Sequence, residues 1–409
     1  MLVVTANWAF TDGTVVAAAG RARAARAWLR GVRCAAIRSG FDRDGRYRPP
    51  EALDLVLAGD TFDCLVSNAW CGRDRPWHAG ARAAEARRRV LLGCARRSAP
   101  FLAALGTLAR RGLCVPGADR LGRPSVAVEV RIPVRITLLP GDRDPAVAEA
   151  TGEIAARAAT VAPCWTDGAV FVGHGHEFDP ACHAPSGAPG GDRPPTLAES
   201  VIVDLVVPFA DAVGRRSANA GLVAAVAASS IAALPGVIAR WMVADGDGDA
   251  GRGDVVAAWR RAVDAWLRQA RRAPPECGLP ASPLESLADW LHAAAVAPPP
   301  EVVADLFDRV VPPAHAAARA LVLGHPPPAA GDAATICLGR PVVRGCNPVA
   351  VVRADGAAEV ACVAANPRSV APPTIVRRRA ADAFEWLQCE EEPVAAAWAG
   401  SATPVIDAA

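Results

Sequence analysis

The chain has 409 residues, and 52% of them are hydrophobic, which excludes a wholly disordered protein and is enough for a packed core. This length is typical of two or three domains. The formal net charge is only +2 and all 44 basic residues are arginine, so the charge gives no reason to expect a nucleic-acid partner.

The N-terminal sequence and the cysteines bear on the cellular compartment. "MLVVTANWAF" lacks the basic flank and the longer apolar run of a signal peptide. The 12 cysteines include no CxxC pair and no clustered spacing, so a disulfide framework is not predicted. These features favour a cytoplasmic protein.

Five segments share one layout, in which an apolar, β-branched run ends abruptly in glycine and polar residues. They are the N-terminal "MLVVTANW" and residues 53–63, 134–144, 168–179 and 319–329. Short continuous apolar runs are typical of strands buried on both faces of a sheet. Polar residues at the carboxyl ends of such strands are where α/β folds place their sites.

Helical patterns fill much of the remaining sequence. Residues 81–111 carry apolar side chains at mixed three- and four-residue spacing, and a largely helical region extends from about residue 190 to about 315. Within it, residues 254–272 form a clear amphipathic pattern. Strand-like pieces such as "TICLG", "PVAVVRA" and "EVACVAA" follow before a polar tail.

Residues 218–239 are uncharged over a length that can span a bilayer. The stretch consists mostly of alanine and contains Ser229, Ser230 and Pro235, which favours a buried or groove-lining helix. A helix in the membrane or on its surface is the second interpretation.

The polar residues that follow the predicted strands include a candidate set of metal ligands. Metals such as Zn, Mn and Fe take Asp, His and Asn ligands that several loops deliver. The candidates here are Asp60, Asp142, His174 and His325. Asp63 is predicted to support its own loop, and Asp179 and His183 are predicted to be local hydrogen-bond partners.

Four motifs at these positions resemble those of the calcineurin-like metallophosphoesterases. "GDTFD" (59–63) fits the GDxxD motif, and "PGDRD" (140–144) fits GNHD with Asp142 in place of Asn and Arg143 in place of His. "HGHEFDP" (174–180) is similar to the HG motif of UDP-diacylglucosamine hydrolases and their relatives, and "LGHPPP" (323–328) fits GHxH at its first histidine.

The resemblance implies a four-layer α/β/β/α sandwich with an inserted helical cap. Residues 1–185 would form the first part of the core, 186–314 the cap, and 315–409 the last part of the core with a C-terminal tail. It also implies a phosphorylated small molecule or a lipid precursor as the partner. The lipid-facing alternative depends on residues 218–239, which would contact a membrane surface.

The sequence departs from the family at the ligands of one metal. Neither register of "VVTANWAF" gives an Asp–His pair: one places Ala6 and Trp8 at those positions, and the other places Asn7 and Ala9. Pro327 replaces the last His of GHxH. The resemblance therefore implies one divalent ion (Mn, Fe or Zn) at Asp60, Asp142, His174 and His325, with Arg143 on the phosphate.

Two functions remain open from the sequence. The first is a hydrolase of phosphoric esters with one of two metal sites retained, and the second is an inactive relative that binds a phosphorylated ligand or protein. A rival assignment takes "GHGH" (173–176) as the final GHxH motif, which would make His176 a ligand.

Overall fold

In the computed structural model the described residues are 1–16, 21–42, 44–148, 159–167, 170–182, 192–214, 219–229, 231–244, 249–272, 281–293, 299–307, 320–323, 335–337, 346–352, 358–364 and 375–376. Their strands are β1 (Leu2–Thr5), β2 (Leu53–Ala58), β3 (Leu113–Ala118), β4 (Pro124–Ile132), β5 (Val134–Leu139), β6 (Thr160–Val161), β7 (Trp165–Thr166), β8 (Val170–Gly173), β9 (Ala320–Leu323), β10 (Thr335–Cys337), β11 (Cys346–Val352), β12 (Ala358–Ala364) and β13 (Ile375–Val376).

The helices are α1 (Arg21–Ser39), α2 (Ala81–Arg97), α3 (Ala99–Arg111), α4 (Leu197–Ser200), α5 (Val207–Gly214), α6 (Ala220–Ala228), α7 (Leu234–Ala244), α8 (Asp249–Ala270), α9 (Ala281–Ala293) and α10 (Glu301–Ala304). A π-helical segment, Val201–Val206, joins α4 to α5.

Two larger sheets and a hairpin organise the strands. The first sheet has the order β13-β12-β11-β1-β2-β5-β6, and its strands β1, β2, β5 and β6 run parallel to one another. The second has the order β10-β9-β8-β7, with β8 and β9 parallel. Because β1, β2 and β5 are parallel neighbours, the loops after them leave the sheet at one edge.

The apolar runs are buried on both faces of the first sheet. Along β2, Leu53, Leu55 and Leu57 pack in the core that includes the helices, and Val56 and Ala58 pack in a separate cluster with Val170 and Val172 of β8. This division follows from the two-residue period of a strand, which sends alternate side chains to opposite faces. The second sheet thus packs on the face of the first that is opposite the helices.

The sequence predicted the central strands and most of the helices. All five strand-end segments contain a strand, namely β1, β2, β5, β8 and β9. The helical pattern over residues 81–111 divides at Ser98 into α2 and α3, where Pro100 occupies the first turn of α3. The β3–β4 hairpin and the π-helical segment were not predicted.

The uncharged stretch at residues 218–239 forms parts of two helices, α6 and α7, and not one long helix. Its side chains Leu222, Val223, Val226, Leu234 and Ile238 are buried in the core that also contains the α8 tryptophans. Among the described residues, no helix combines the length and the apolar character needed to cross a bilayer.

The fold belongs to the mixed α/β class, as predicted. The more specific four-layer sandwich and the boundaries near residues 185 and 315 stay predictions. The helices from α4 to α10 pack in the same core as the helices that cover the first sheet. Trp28 of α1, Val203 of the π-helical segment and Trp259 of α8 all belong to this one buried cluster.

Candidate metal centre

The loops after β1 and β2 run side by side and are joined by backbone hydrogen bonds. The N–H of Asn7 donates to the Gly59 carbonyl at 3.1 Å, and the N–H of Ala9 donates to the Asp60 carbonyl at 2.8 Å. Asn7, Ala9 and Asp60 all have positive φ, at 57°, 48° and 50°. Such values are costly for residues with a side chain and are found where surrounding contacts impose them.

Glycine at position 59 is required by the approach of His174. Its φ is 82°, and a Cβ there would lie 2.2 Å from Nδ1 of His174. Gly141, in the loop after β5, has a similar role, since a Cβ there would lie 2.2 Å from Oδ1 of Asp60. Both glycines let a ligand side chain approach the backbone of a neighbouring loop.

One buried carboxylate, that of Asp144, holds the loop after β2 to the loop after β5. Its Oδ1 accepts the N–H groups of Gly141 at 2.7 Å and Asp60 at 3.2 Å, and its Oδ2 accepts the N–H of Phe62 at 3.0 Å. Sequence reasoning did not assign this role to Asp144. The signal that could have indicated it was the second carboxylate of "GDRD", two residues after a predicted ligand.

The hydrogen bonds of His174 define which ring nitrogen faces the candidate site. Nδ1 lies 2.8 Å from the Ala58 carbonyl oxygen, and a carbonyl can only accept, so Nδ1 carries a proton. Nε2 lies 2.9 Å from Oδ1 of Asp142 and 3.5 Å from Oδ1 of Asp60. Metal-binding histidines commonly donate their second N–H to a backbone carbonyl in this way.

Three of the four predicted ligands therefore meet. One ligand atom each from Asp60, Asp142 and His174 lies within 4.8 Å of the others. Asp60 and His174 are almost fully buried, and the Asp142 side chain, at 9% exposure, is the most accessible of the three. Two carboxylates and an imidazole suit a divalent cation such as Zn, Mn or Fe.

The electrostatics of the cluster also favour a cation. Burial alone would lower the pKa of His174, but the carboxylates of Asp60 and Asp142 raise this pKa to about 10. Burial, together with repulsion from Asp60, raises the pKa of Asp144 to about 7. Within the described part of the chain, the carboxylates of Asp60 and Asp142 lie beside the His174 ring, and that of Asp63 pairs with Arg143.

Arg143 lies beside the cluster as a buried cation. Its Nη1 donates to Oδ2 of Asp63 at 2.5 Å and to the Ala227 carbonyl of α6 at 3.1 Å, and only 3% of its side chain is exposed. Its backbone N–H also donates to Oδ1 of Asp60 at 3.0 Å. Asp63 also accepts the N–H of Val66 at 3.3 Å, which confirms that it supports its loop. Phosphate binding by Arg143 stays a prediction.

His176 is not part of the three-residue group. Its ring lies 5.3 Å from that of His174 between centroids, and its Nδ1 lies 3.5 Å from a carboxylate oxygen of Glu177. Burial and the neighbouring His174 lower the pKa of His176. About a third of its side chain is exposed, so His176 lies at the more open side of the cluster.

In the register that places Ala6 and Trp8 at the missing ligand positions, which follow β1, both positions hold apolar side chains. Ala6 is buried in the cluster between the two sheets. Trp8 packs against Phe10, Trp28 and Phe101, with centroid distances of 5.7, 5.2 and 4.5 Å.

The fourth predicted ligand, His325, lies outside the described residues, and so does His183. Strand β9, which precedes His325 in the chain, ends at Leu323 beside Gly173 of β8.

Comparisons with known proteins do not identify a family. The chain matches no family model, no curated protein and no solved structure.

Proposed function

We propose that this protein is a metal-dependent hydrolase of phosphoric esters that uses one divalent ion, Mn, Fe or Zn. The proposal is supported above all by the convergence of Asp60, Asp142 and His174, whose ligand atoms lie within 4.8 Å of one another. We expect His325 to be the fourth ligand. The substrate class is a phosphorylated small molecule or a lipid precursor.

The donor set fits such an ion. Nδ1 of His174 is committed to the Ala58 carbonyl, which leaves Nε2 for a metal. The backbone N–H of Arg143 orients the carboxylate of Asp60, and Asp144 holds the turn that carries Asp60. The ligands are therefore positioned by contacts that do not depend on the ion.

A bound divalent ion supplies polarisation of a phosphoryl oxygen and a lower pKa for a water molecule. The protein supplies the position and the surrounding charge. Asp142 and His176 lie on the accessible side of the cluster, where a phosphoric ester would approach. Arg143 adds a fixed positive charge, because Asp63, Asp60 and Asp142 raise its pKa against the effect of burial.

A binding protein without turnover is the second candidate, and two observations favour it. In the register that puts Ala6 and Trp8 at the ligand positions of a second ion, both side chains pack in apolar clusters, so a two-metal clamp would lack these ligands. The guanidinium of Arg143 is also engaged by Asp63 and Ala227. In this case the site would hold an ion and a phosphorylated ligand or protein without cleaving an ester.

The two candidates are separated by elemental analysis of the purified protein together with assays on an aryl phosphate monoester and diester. Asp60→Ala is the test variant, and Asp289→Ala, which changes an exposed aspartate on α9, is the control. We expect about one metal equivalent per chain and turnover that Asp60→Ala abolishes and Asp289→Ala retains.

Metal without turnover on either ester would support the binding candidate, and absence of metal would contradict both candidates. His325→Ala tests the fourth ligand separately: we expect its metal content to fall, and an unchanged content would remove His325 from the site.

A further inference from the structure

The β3–β4 hairpin exposes an unusual amount of apolar surface. Of the four large apolar side chains that are exposed among the described residues, three lie on this hairpin: Leu121 at 70%, Val126 at 64% and Val128 at 50%. The hairpin is a separate two-stranded sheet. One face of the hairpin is already supported, because Leu113, Val115 and Ile132 are buried in the main core. What the hairpin can offer to another molecule is therefore its outer edges and its exposed side chains.

The outer edge of β3 is closed by the protein itself. Nε of Arg33 donates to the Cys114 carbonyl at 2.9 Å, and the Tyr47 hydroxyl donates to the Pro116 carbonyl at 3.0 Å. Pro116 has no N–H to offer at this edge. A strand from another molecule would find few groups to pair with here.

The outer edge of β4 is open within the described part of the chain, where β3 is the only strand that pairs with β4. Val130 is the register partner of Val115, and Ile132 that of Leu113. Because the carbonyls of Cys114 and Pro116 point away from β4, those of Leu113 and Val115 point toward it. By the alternation of an antiparallel ladder, the N–H and C=O groups of Glu129 and Arg131 point outward from β4.

We propose that β4 is the docking surface for a second copy of this chain, which adds its own β4 antiparallel and in a register centred on Val130. In this register, Glu129 of each copy lies opposite Arg131 of the other. The outward backbone groups of these two residues would form the reciprocal hydrogen bonds of the new ladder. The pairing would join two hairpins into one four-stranded sheet.

Charge complementarity is the reason for choosing a second copy as the occupant. The symmetric register produces two cross-strand ion pairs between Glu129 and Arg131, and each uses side chains that are exposed in the single chain. The register between β3 and β4 shifts between Pro116 and Gly117, so the regular part of β4 is Glu129–Ile132, and the exposed Val128 lies directly beside it. An isologous contact of this kind is the commonest in homodimers.

The test is a charge-reversal series measured by sedimentation velocity and light scattering over a range of protein concentrations. Glu129→Arg and Arg131→Glu each place like charges opposite one another, and the double variant Glu129→Arg/Arg131→Glu restores opposite charges. Arg120→Glu, a reversal in the hairpin turn outside the strand, is the matched control. Circular dichroism checks that each variant is folded.

We expect a concentration-dependent dimer for the unchanged protein, for the control and for the double variant, and dissociation constants about tenfold larger for the single variants. A protein that stays monomeric would overturn the proposal. A dissociation constant that changes equally in the control and in the single variants, or that changes in none of them, would also overturn the proposal. If a variant is not folded, hydrogen exchange of the unchanged protein decides: the Glu129 and Arg131 amides must become more protected as concentration rises.

Discussion

The carboxylate of Asp144 accepts the backbone N–H of Asp60 at 3.2 Å, and through this bond the loop after β5 holds a residue of the loop after β2 at a φ of 50°. Asp144 also accepts the N–H groups of Gly141 and Phe62. The geometry of the candidate metal centre therefore depends on a side chain outside the predicted ligand set.

Asp144→Asn should weaken both the fold and metal binding. The asparagine amide cannot accept hydrogen bonds at its nitrogen, so at least one buried backbone N–H loses its partner, at a cost of about 1–3 kcal/mol. Denaturant unfolding of the metal-free protein and a metal titration measure the two effects. Asp289→Asn is the control. If Asp144→Asn matched this control in both measurements, Asp144 would not position Asp60.

Gly141→Ala should disturb Asp60 directly, because the added Cβ would lie 2.2 Å from Oδ1 and 2.6 Å from the backbone nitrogen of Asp60. We expect a loss of about 1–3 kcal/mol in unfolding free energy, as for other overpacked sites, and a lower metal content. Gly221→Ala, in α6, is the matched control because a Cβ there meets nothing within 4 Å.

The control should be neutral or stabilising by up to ~1 kcal/mol, since alanine has the higher helix propensity. Equal stability and equal metal content of the Gly141 and Gly221 variants would contradict the close approach of the two loops.

The buried ion pair between Arg143 and Asp63 can be tested by a double-mutant cycle. Arg143→Met and Asp63→Leu each leave one buried charge without its partner, which typically costs about 3–5 kcal/mol. The double variant should lose clearly less unfolding free energy than the sum of the two single losses, because neither buried charge remains. Chemical denaturation measures all four proteins, and strict additivity would show that the pair is not coupled.

Metal affinity should rise with pH in the metal-free protein. The pKa of His174 is about 10, so the ring carries both protons at neutral pH, whereas a metal ligand must release one of them. Raising the pH toward this pKa removes the competing proton and strengthens binding. Titration calorimetry in buffers of different ionisation enthalpy should report proton release at pH 7.

His292→Ala is the control, because His292 lies 2.9 Å from Asp264 on the helical surface and away from the cluster. It should bind metal with the same pH dependence as the unchanged protein, and His174→Ala should not bind. An affinity that does not change with pH would contradict protonation of His174 in the metal-free state.

The sequence by itself determined the positions of the central strands and of three candidate metal ligands. Short apolar, β-branched runs such as that of β2, bounded by glycine and polar residues, favour a buried strand, and chain connectivity puts the polar residues that follow at the strand's end. Asp60, Asp142 and His174 were predicted in this way and meet in the fold. The β3–β4 hairpin was missed because only a short stretch of β4 alternates, and much of its apolar face is exposed.

Only the tertiary structure decided the contacts between loops. No local pattern could show that Arg143 pairs with Asp63 and reaches the Ala227 carbonyl, or that Asp144 binds the backbone of Asp60. These contacts depend on which strands are neighbours and in which register they pair. Strand order and register are set by the burial of the whole sheet between helices and the second sheet, and therefore by residues far away in the sequence.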